Sequence, residues 1–319
     1  MFRSFFVYLS KAAWARKIVT RWGVMRRVAT RFVAGDNLDD AIRAIHDLNK
    51  KGIHATLDLL GENTTTPDEA RLAAQEIIYV LEAIDRAGVR ANVSVKLTQL
   101  GLALDPTLCV ENLNRILERA RQLGNFVRVD MEDSPWTDKT LDMCRRMWGL
   151  GLTNTGMVIQ SYLYRSAEDV KSVVEAGGKV RLCKGAYKEP PEIAFPKMKG
   201  VNKNYDLLTT LLVDGALAQG SPQLSQDGKV PPIPGIASHD PDRLAFAKAY
   251  AQKVGLPKQA IEFQMLNGIR RDLQDQAVQE GYPVRVYVPY GTEWYPYFVR
   301  RLAERPANLW FFVSNFFRK

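Results

Sequence analysis

"HATLDLLGENTTTPDEARLAAQEIIYVLEAIDRAG", residues 54–88, decides the fold. Its first part, "HATLDLLGE" (54–62), is a short apolar run with β-branched residues and reads as a strand. The second part opens on Thr-Pro-Asp-Glu and closes on Gly, which are helix boundary signals, and predicts a helix over 66–88. The same strand-then-helix unit recurs along the chain. "ANVSVKLTQLG" precedes a helix near 109–123, "FVRVDME" one near 137–149, and "TGMVIQSY" one near 167–176. "KVRLCKGAY" leads through a long loop to a helix near 203–218, "PGIASHD" to one near 241–254, and "IEFQMLNG" to one near 269–280. "VRVYVPYG" runs into the helical stretch "WYPYFVRRLAE" (294–304). Alternation of this kind implies a parallel sheet, and continuous apolar strands imply burial on both faces. Eight units are the number that closes an α/β barrel of the (β/α)8 TIM type; a doubly wound open sheet is the alternative. The expected division is a helical arm over 1–45 and a barrel over 46–319 ending in a C-terminal helical extension.

Composition narrows the function class. The 319 residues are 46% hydrophobic and 25% charged, which is ordinary for a globular protein. The net charge is +9, yet residues 1–35 alone hold eight basic residues and no acidic one. The rest is close to neutral, so a nucleic-acid-binding surface is not expected. The basic arm also carries Phe2, Phe5, Phe6, Trp14 and Trp22, and reads as an amphipathic helix. It suits an anionic membrane surface; a transit peptide or a packing arm are the plainer readings. No run of about 20 uninterrupted apolar residues is present, so no membrane span is expected. Cys109, Cys144 and Cys183, like His46, His54 and His239, are scattered, so neither a disulfide framework nor a metal site is expected, and a reducing compartment is.

In a barrel the C-terminal strand ends and the loops after them build the active site. Polar residues mark those ends: Asp58 and Glu62, Lys96 and Gln99, Arg128, Asp130 and Glu132, Gln160, Arg181, Lys184 and Tyr187, Ser238, His239 and Asp240, Gln264 and Asn267, Tyr287 and Tyr290. A charge at a strand end is often only a solvated loop residue. Lys96 and Lys184 differ, because both are embedded in apolar strand, where an unpaired ammonium is costly. Asp58 and Asp130 are their expected partners. His239 reads as a hydrogen-bond donor to a cofactor or as a loop histidine near a helix start. "KGAY" (184–187) is a turn where backbone can approach a ligand closely. No GxGxxG follows a strand and opens a helix, so any nucleotide cofactor must be held by the barrel itself. On the last helix, residues 297, 300, 301 and 304 share one face and place Tyr297, Arg300, Arg301 and Glu304 together. That face is either solvated or looks into an anion site.

Together "LDLLGE", "SVKLTQLG", "VRVDME", "MVIQSYL", "VRLCKGAY", "IASHD", "EFQMLNG" and "VRVYVPYGTEWYPYFVRRLAE" resemble the FAD-dependent proline dehydrogenases, particularly the short monofunctional bacterial form, over about residues 53–308. The resemblance implies a distorted barrel holding FAD noncovalently at the strand C-termini. It implies oxidation of L-proline to Δ1-pyrroline-5-carboxylate, with hydride passing from C5 to flavin N5 and electrons then going to a membrane quinone. It makes Asp130 and Arg181 the catalytic pair. Lys96, Arg300 and Arg301 would hold the proline carboxylate, and Tyr287, Leu266 and Tyr297 would wall its ring. Met131, Gln160, Arg181, Lys184, Gly185, Ala186, Ser238 and His239 would contact FAD; relatives often have Thr where Ser238 stands, and the hydroxyl is kept. Glu62 would pair with Arg300 as a gate. The implied location is cytoplasmic, peripheral on the inner face of the cytoplasmic membrane, with residues 1–35 as the contact. Two other classes compete: a Schiff-base barrel lyase using Lys96 or Lys184, and a membrane-docking module without chemistry.

Overall fold

A computed structural model describes residues 31–61 and 64–304, with side chains as far as Val299. The expectations for the arm before residue 31, for Glu62, for the Arg300, Arg301 and Glu304 side chains, and for the tail after 304 lie outside the described residues.

Eight parallel strands close into a barrel in sequence order. They are β1 His54–Leu59, β2 Ala91–Val95, β3 Val127–Val129, β4 Thr155–Gln160, β5 Lys179–Cys183, β6 Pro234–Ala237, β7 Glu262–Leu266 and β8 Val284–Tyr290. Closure is made by β1 on β8, in register from His54↔Arg285 to Leu59↔Tyr290. Among the described residues the helices are α1 Leu38–Lys50, α2 Pro67–Ala87, α3 Pro106–Gln122, α4 Thr137–Gly149, α5 Ser166–Glu175, α6 Met198–Ala218, α7 Pro241–Lys253, α8 Arg271–Gln279 and α9 Trp294–Glu304.

The stretch that opened the reading shows why the units form. Thr66 caps α2 by accepting from the Glu69 N–H, and the Glu69 carboxylate returns the bond to the Thr66 N–H. Pro67 supplies a preset first turn, and Gly88 ends the helix in the left-handed conformation at φ 61°. One face of α2, with Ala70, Ala74, Ile77, Leu81 and Ile84, is buried against the barrel wall. That wall is the outward side of the strands: Ala55, Leu57, Val93, Val95, Val127, Val129, Val180, Leu182, Phe263, Met265, Val286 and Val288 join the helices in one continuous core.

The barrel departs from regular (β/α)8 geometry at its seam. The helix beside β1 and β8 is α1, which precedes the first strand. Its Ala41 and Ile45 are in the main core, so the boundary expected at 45/46 falls inside a helix that packs with the barrel. The helix after β8, α9, belongs instead to a separate cluster of Phe32, Val33, Leu60, Ile269, Trp294, Tyr295, Tyr297, Phe298 and Val299, against which Leu266 and Tyr287 pack. Leu60, Leu266 and Ile269 lie at or just past the C-terminal strand ends, so α9 covers part of the barrel mouth.

Candidate functional site

Side chains alternate across a strand, so the residues between the core positions point inward. Barrel interiors are normally filled by branched apolar residues. Here the polar inward positions include Thr56 and Asp58, Ser94 and Lys96, Arg128 and Asp130, Arg181, Glu262 and Gln264, Arg285 and Tyr287, and all of these but Arg128 bond to one another across the interior.

Near the mouth Asp130 is the hub. Its Oδ1 accepts from Ser94 Oγ at 2.8 Å and Arg181 Nη1 at 3.0 Å, and its Oδ2 from Tyr287 Oη at 2.7 Å. Lys96 Nζ stands 3.6 Å from the same Oδ2 and donates to Asp58 Oδ1 at 3.0 Å. Lys96 is therefore paired with both expected carboxylates. Burial raises the Asp58 pKa above the usual carboxylate range; Lys96 opposes the rise and Asp130 adds to it. Burial, with Asp130 and Asp58 nearby, also pushes the Tyr287 hydroxyl well above its ordinary value, so it stays a donor. The Arg181 guanidinium lies over the Tyr287 ring, 5.2 Å from its centroid.

Around the rim the structure corrects one expectation. Lys184 pairs with neither Asp58 nor Asp130. It donates to Asp240 Oδ2 at 2.6 Å, because β5 and β6 are neighbours and their strand ends place the two side by side. Burial works against ionisation of Asp240, but Lys184 prevails and holds its pKa below the usual range. His239 does not donate through Nε2: that atom accepts from the Leu266 N–H at 2.9 Å. This bond fixes the tautomer in the neutral ring, so donation falls to Nδ1. Gln160 donates to the Glu132 carbonyl at 2.9 Å, while the Glu132 carboxylate is engaged by Thr98. Gly185 has φ 112°, and a Cβ there would fall 2.5 Å from the Tyr162 ring. The KGAY backbone thus runs flush against an aromatic face, as only glycine permits.

These groups surround one cavity of about 730 Å³, a size suited to a small-molecule site. Lys96, Asp130, Met131, Gln160, Arg181, Lys184, Gly185, Ala186, Ser238, His239, Leu266, Tyr287 and Tyr297 all line it, so every described residue to which the resemblance gave a site role meets at one place; of the other polar strand ends, Gln99, Arg128, Glu132, Asn267 and Tyr290 do not line it. Asp58, Thr56, Cys183 and Gln264 line it too. Positions 300 and 301 follow Tyr297 by three and four residues in α9.

A second polar layer lies below. Glu262 and Arg285, 0% and 1% exposed, pair with both carboxylate oxygens at 3.0 Å from Nε. Arg285 also donates to the Ala55 and Gly228 carbonyls at 2.7 Å. Gln264 bridges upward, donating to Glu262 at 2.6 Å and accepting from Arg181 Nε at 2.6 Å. Sequence reasoning placed Gln264 and Arg128 among the polar strand ends but passed over Glu262 and Arg285. The layer's signal was the period-two pattern of polar residues inside apolar strands, as in "VRV" of β3 and "EFQML" of β7.

Among the described residues no cluster of His, Cys, Asp and Glu could hold a metal ion, and no helix is long and apolar enough to cross a membrane.

Comparison with known proteins gives a consistent result. Residues 41–313 match the proline dehydrogenase family profile. The chain is 38% identical over 319 residues to proline dehydrogenase 1 of Bacillus subtilis, covering all of both chains. It is 40% identical over 295 residues to the proline dehydrogenase of Deinococcus radiodurans, covering 91% of this chain and 90% of that one. The fold resembles proline utilization A from Bdellovibrio bacteriovorus inactivated by N-propargylglycine, with a TM-score of 0.79 and 26% identity over 95% of this chain; the match spans 36% of that longer protein. By fold, by sequence over its whole length and by the convergence of its polar strand ends, the chain belongs to the proline dehydrogenase family of enzymes.

Proposed function

We propose that this proline dehydrogenase works on L-proline with FAD held noncovalently at the barrel mouth, yields Δ1-pyrroline-5-carboxylate, and passes the electrons to a membrane quinone. The supporting observation is the single cavity on which the described site residues converge. A flavin fits the residues present. Gly185 and Ala186 bring backbone to the cavity with almost no side chain, and Arg181, Lys184 and Gln160 supply donors to an acceptor-rich planar ring. Met131, Gln160, Lys184, Gly185, Ala186, Ser238 and His239 would hold it. When bound, FAD supplies a two-electron acceptor for the hydride leaving proline C5.

The chain's own residues orient and polarise. Lys96, with Arg300 and Arg301, would take the proline carboxylate, since planar guanidinium forks match a carboxylate and stay charged. Tyr287, Leu266 and Tyr297 would pack on the ring and fix the reacting carbon at van der Waals distance from its acceptor. Arg181, buried and aimed by Asp130, supplies fixed positive charge where negative charge develops. Glu62 would close on Arg300 once substrate is in place. Contact of residues 1–35 with an anionic membrane surface would bring the enzyme, cytoplasmic and peripheral on the inner face of the membrane, to its quinone. A Schiff-base lyase is disfavoured, because Lys96 and Lys184 are engaged in ion pairs with Asp58 and Asp240 rather than presented as free nucleophiles.

Anaerobic titration with L-proline tests the reading. The flavin absorbance is expected to bleach stoichiometrically. A protein that stays colourless after incubation with FAD, or a bound flavin that proline leaves oxidised, would overturn it.

A further inference from the structure

The Gln264 amide bridges a fully buried carboxylate and the guanidinium that lines the cavity, and none of the expected site roles uses it. We infer that Gln264 is a positioning residue: it fixes the direction in which Arg181 faces the cavity, and Glu262 fixes Gln264.

Three observations carry this. First, Arg181 is held on several sides. Its Nε donates to Gln264 Oε1 at 2.6 Å, its Nη1 to Ser94 and Asp130, and its Nη2 to Thr56 at 3.3 Å. A guanidinium has five N–H groups, so four bonds inside the barrel leave one for a ligand. The Nε bond is the shortest of the four and anchors the root of the guanidinium plane, about which Nη1 and Nη2 swing. Second, the amide has one allowed orientation. Glu262 accepts at 2.6 Å, and only the amide nitrogen can donate to it. The reversed amide would set oxygen against carboxylate and nitrogen against guanidinium, two repulsions in a medium of low dielectric. Burial alone would raise the Glu262 pKa, but Arg285 overrides it and holds the value below the ordinary range, so the acceptor stays ionised. Third, space is kept for the amide. Gly235 on β6 faces it, and a Cβ there would come 2.7 Å from Gln264 Nε2 and 3.1 Å from the Val180 carbonyl.

Glu262 is itself held by Arg285, which is tied to the Gly228 carbonyl. Gly228 lies in the turn closed by Ser225 and Val230, between α6 and β6. The chain of contacts therefore runs from the loop beneath the barrel to the group that lines the cavity.

What Arg181 does rests on the flavin reading; how it is held does not. The test therefore has two arms. In flavin-free protein, exchange of the Arg181 Nε–H with water is followed by NMR. It is expected to be strongly slowed in the parent and to accelerate at least ten-fold in Gln264→Met, which keeps shape but offers no acceptor. In flavin-loaded protein, Gln264→Met is expected to lower kcat about ten-fold with KM for proline changed less than about two-fold, and to shift the flavin midpoint potential. Asn112→Leu, which breaks a buried amide bond to the Leu100 carbonyl far from the cavity, is expected to lower stability without moving the potential. Rapid exchange in the parent, protection that survives in Gln264→Met, or a potential that shifts equally in Asn112→Leu would each overturn the inference. A protein that takes up no flavin would instead defeat the function reading and leave the exchange arm to decide this one.

Discussion

Acidification should weaken the fold through one histidine, and the size of the effect can be worked from its surroundings. His54 sits at the lower end of β1, 9% exposed, with Nδ1 3.3 Å from the Val284 carbonyl. The turn at Gly228 packs so closely on the ring that a Cβ there would lie 2.1 Å from it. Burial first, and the Arg285 charge second, push the His54 pKa down to about 4; Glu262 pulls weakly the other way. A free histidine has a pKa of about 6.5. Between these values the unfolded chain binds a proton that the native protein refuses. Stability is therefore full above about pH 6.5 and falls as the pH drops toward 4. The difference of 6.5 − 4 is about 2.5 units, and at 1.36 kcal/mol per unit the loss is about 3 kcal/mol. His54→Gln keeps a donor in this pocket and does not titrate. Urea unfolding of parent and variant at pH 7 and at pH 4 isolates the term, because the other groups titrate alike in both. The parent's advantage at pH 7 should shrink by about 3 kcal/mol at pH 4. An advantage equal at both pH values would show that His54 is not held neutral by its burial.

Three further outcomes follow from the same geometry. Gly156→Ala puts a methyl 2.3 Å from the Lys179 carbonyl and 2.8 Å from Arg128 Nη1; it should cost about 1–3 kcal/mol or more and lower the melting temperature by several degrees, and an unchanged melt would refute the clash. Tyr287→Phe removes the 2.7 Å bond to Asp130 but keeps the ring; kcat/KM for proline should fall about ten-fold or more with little change in unfolding midpoint, and wild-type kcat/KM would show that the hydroxyl does not align Asp130. Asp240→Asn keeps an N-cap for α7 but removes the charge facing Lys184; that pair is partly exposed, so FAD affinity by equilibrium titration should weaken only about five-fold, and unaltered affinity would remove Lys184–Asp240 from the cofactor site.

Much of this fold was legible because its signals are local. The helix read over 137–149 has those bounds, and the one read over 66–88 spans Pro67–Ala87, since caps and turns are written in adjacent residues. The helix read from 109 begins at Pro106, where Asp105 caps by accepting from the Thr107 N–H, a start signal passed over in favour of the apolar run. Helix α1 was absorbed into the basic arm, although Leu38, Ala41, Ile42, Ile45 and Leu48 repeat at helical spacing. The site was legible at strand ends, where Lys96, Asp130, Arg181 and Tyr287 stand in polar contrast to their neighbours. Partners were harder. Lys184 meets Asp240 and Arg181 meets Gln264 and Thr56 through strand adjacency and a closed interior, neither of which leaves a mark on nearby residues.

A barrel interior this polar is costly to bury, and the way it is satisfied bears on function. Arg128 is 1% exposed with no ion-pair partner among the described residues; Nη1 donates to the Met157 and Lys179 carbonyls, and the guanidinium lies over Phe126 at 4.8 Å. Its pKa is pushed well below that of free arginine, by burial first and by Arg181 and Arg285 next. Replacing such a layer with leucine would stabilise many folds. Here it could not be done without releasing Arg181, because the guanidinium at the cavity is braced from beneath by Gln264, Glu262 and Arg285 and from the side by Ser94 and Thr56. Glycines at 156 and 235, where other inward positions carry side chains, make the room these long polar groups need. A charge that lines a binding cavity keeps its direction only while its partners hold it. A packed, hydrogen-bonded interior supplies that rigidity where a greasy one would leave Arg181 without partners, so stability given up inside the barrel is retained as order at its mouth.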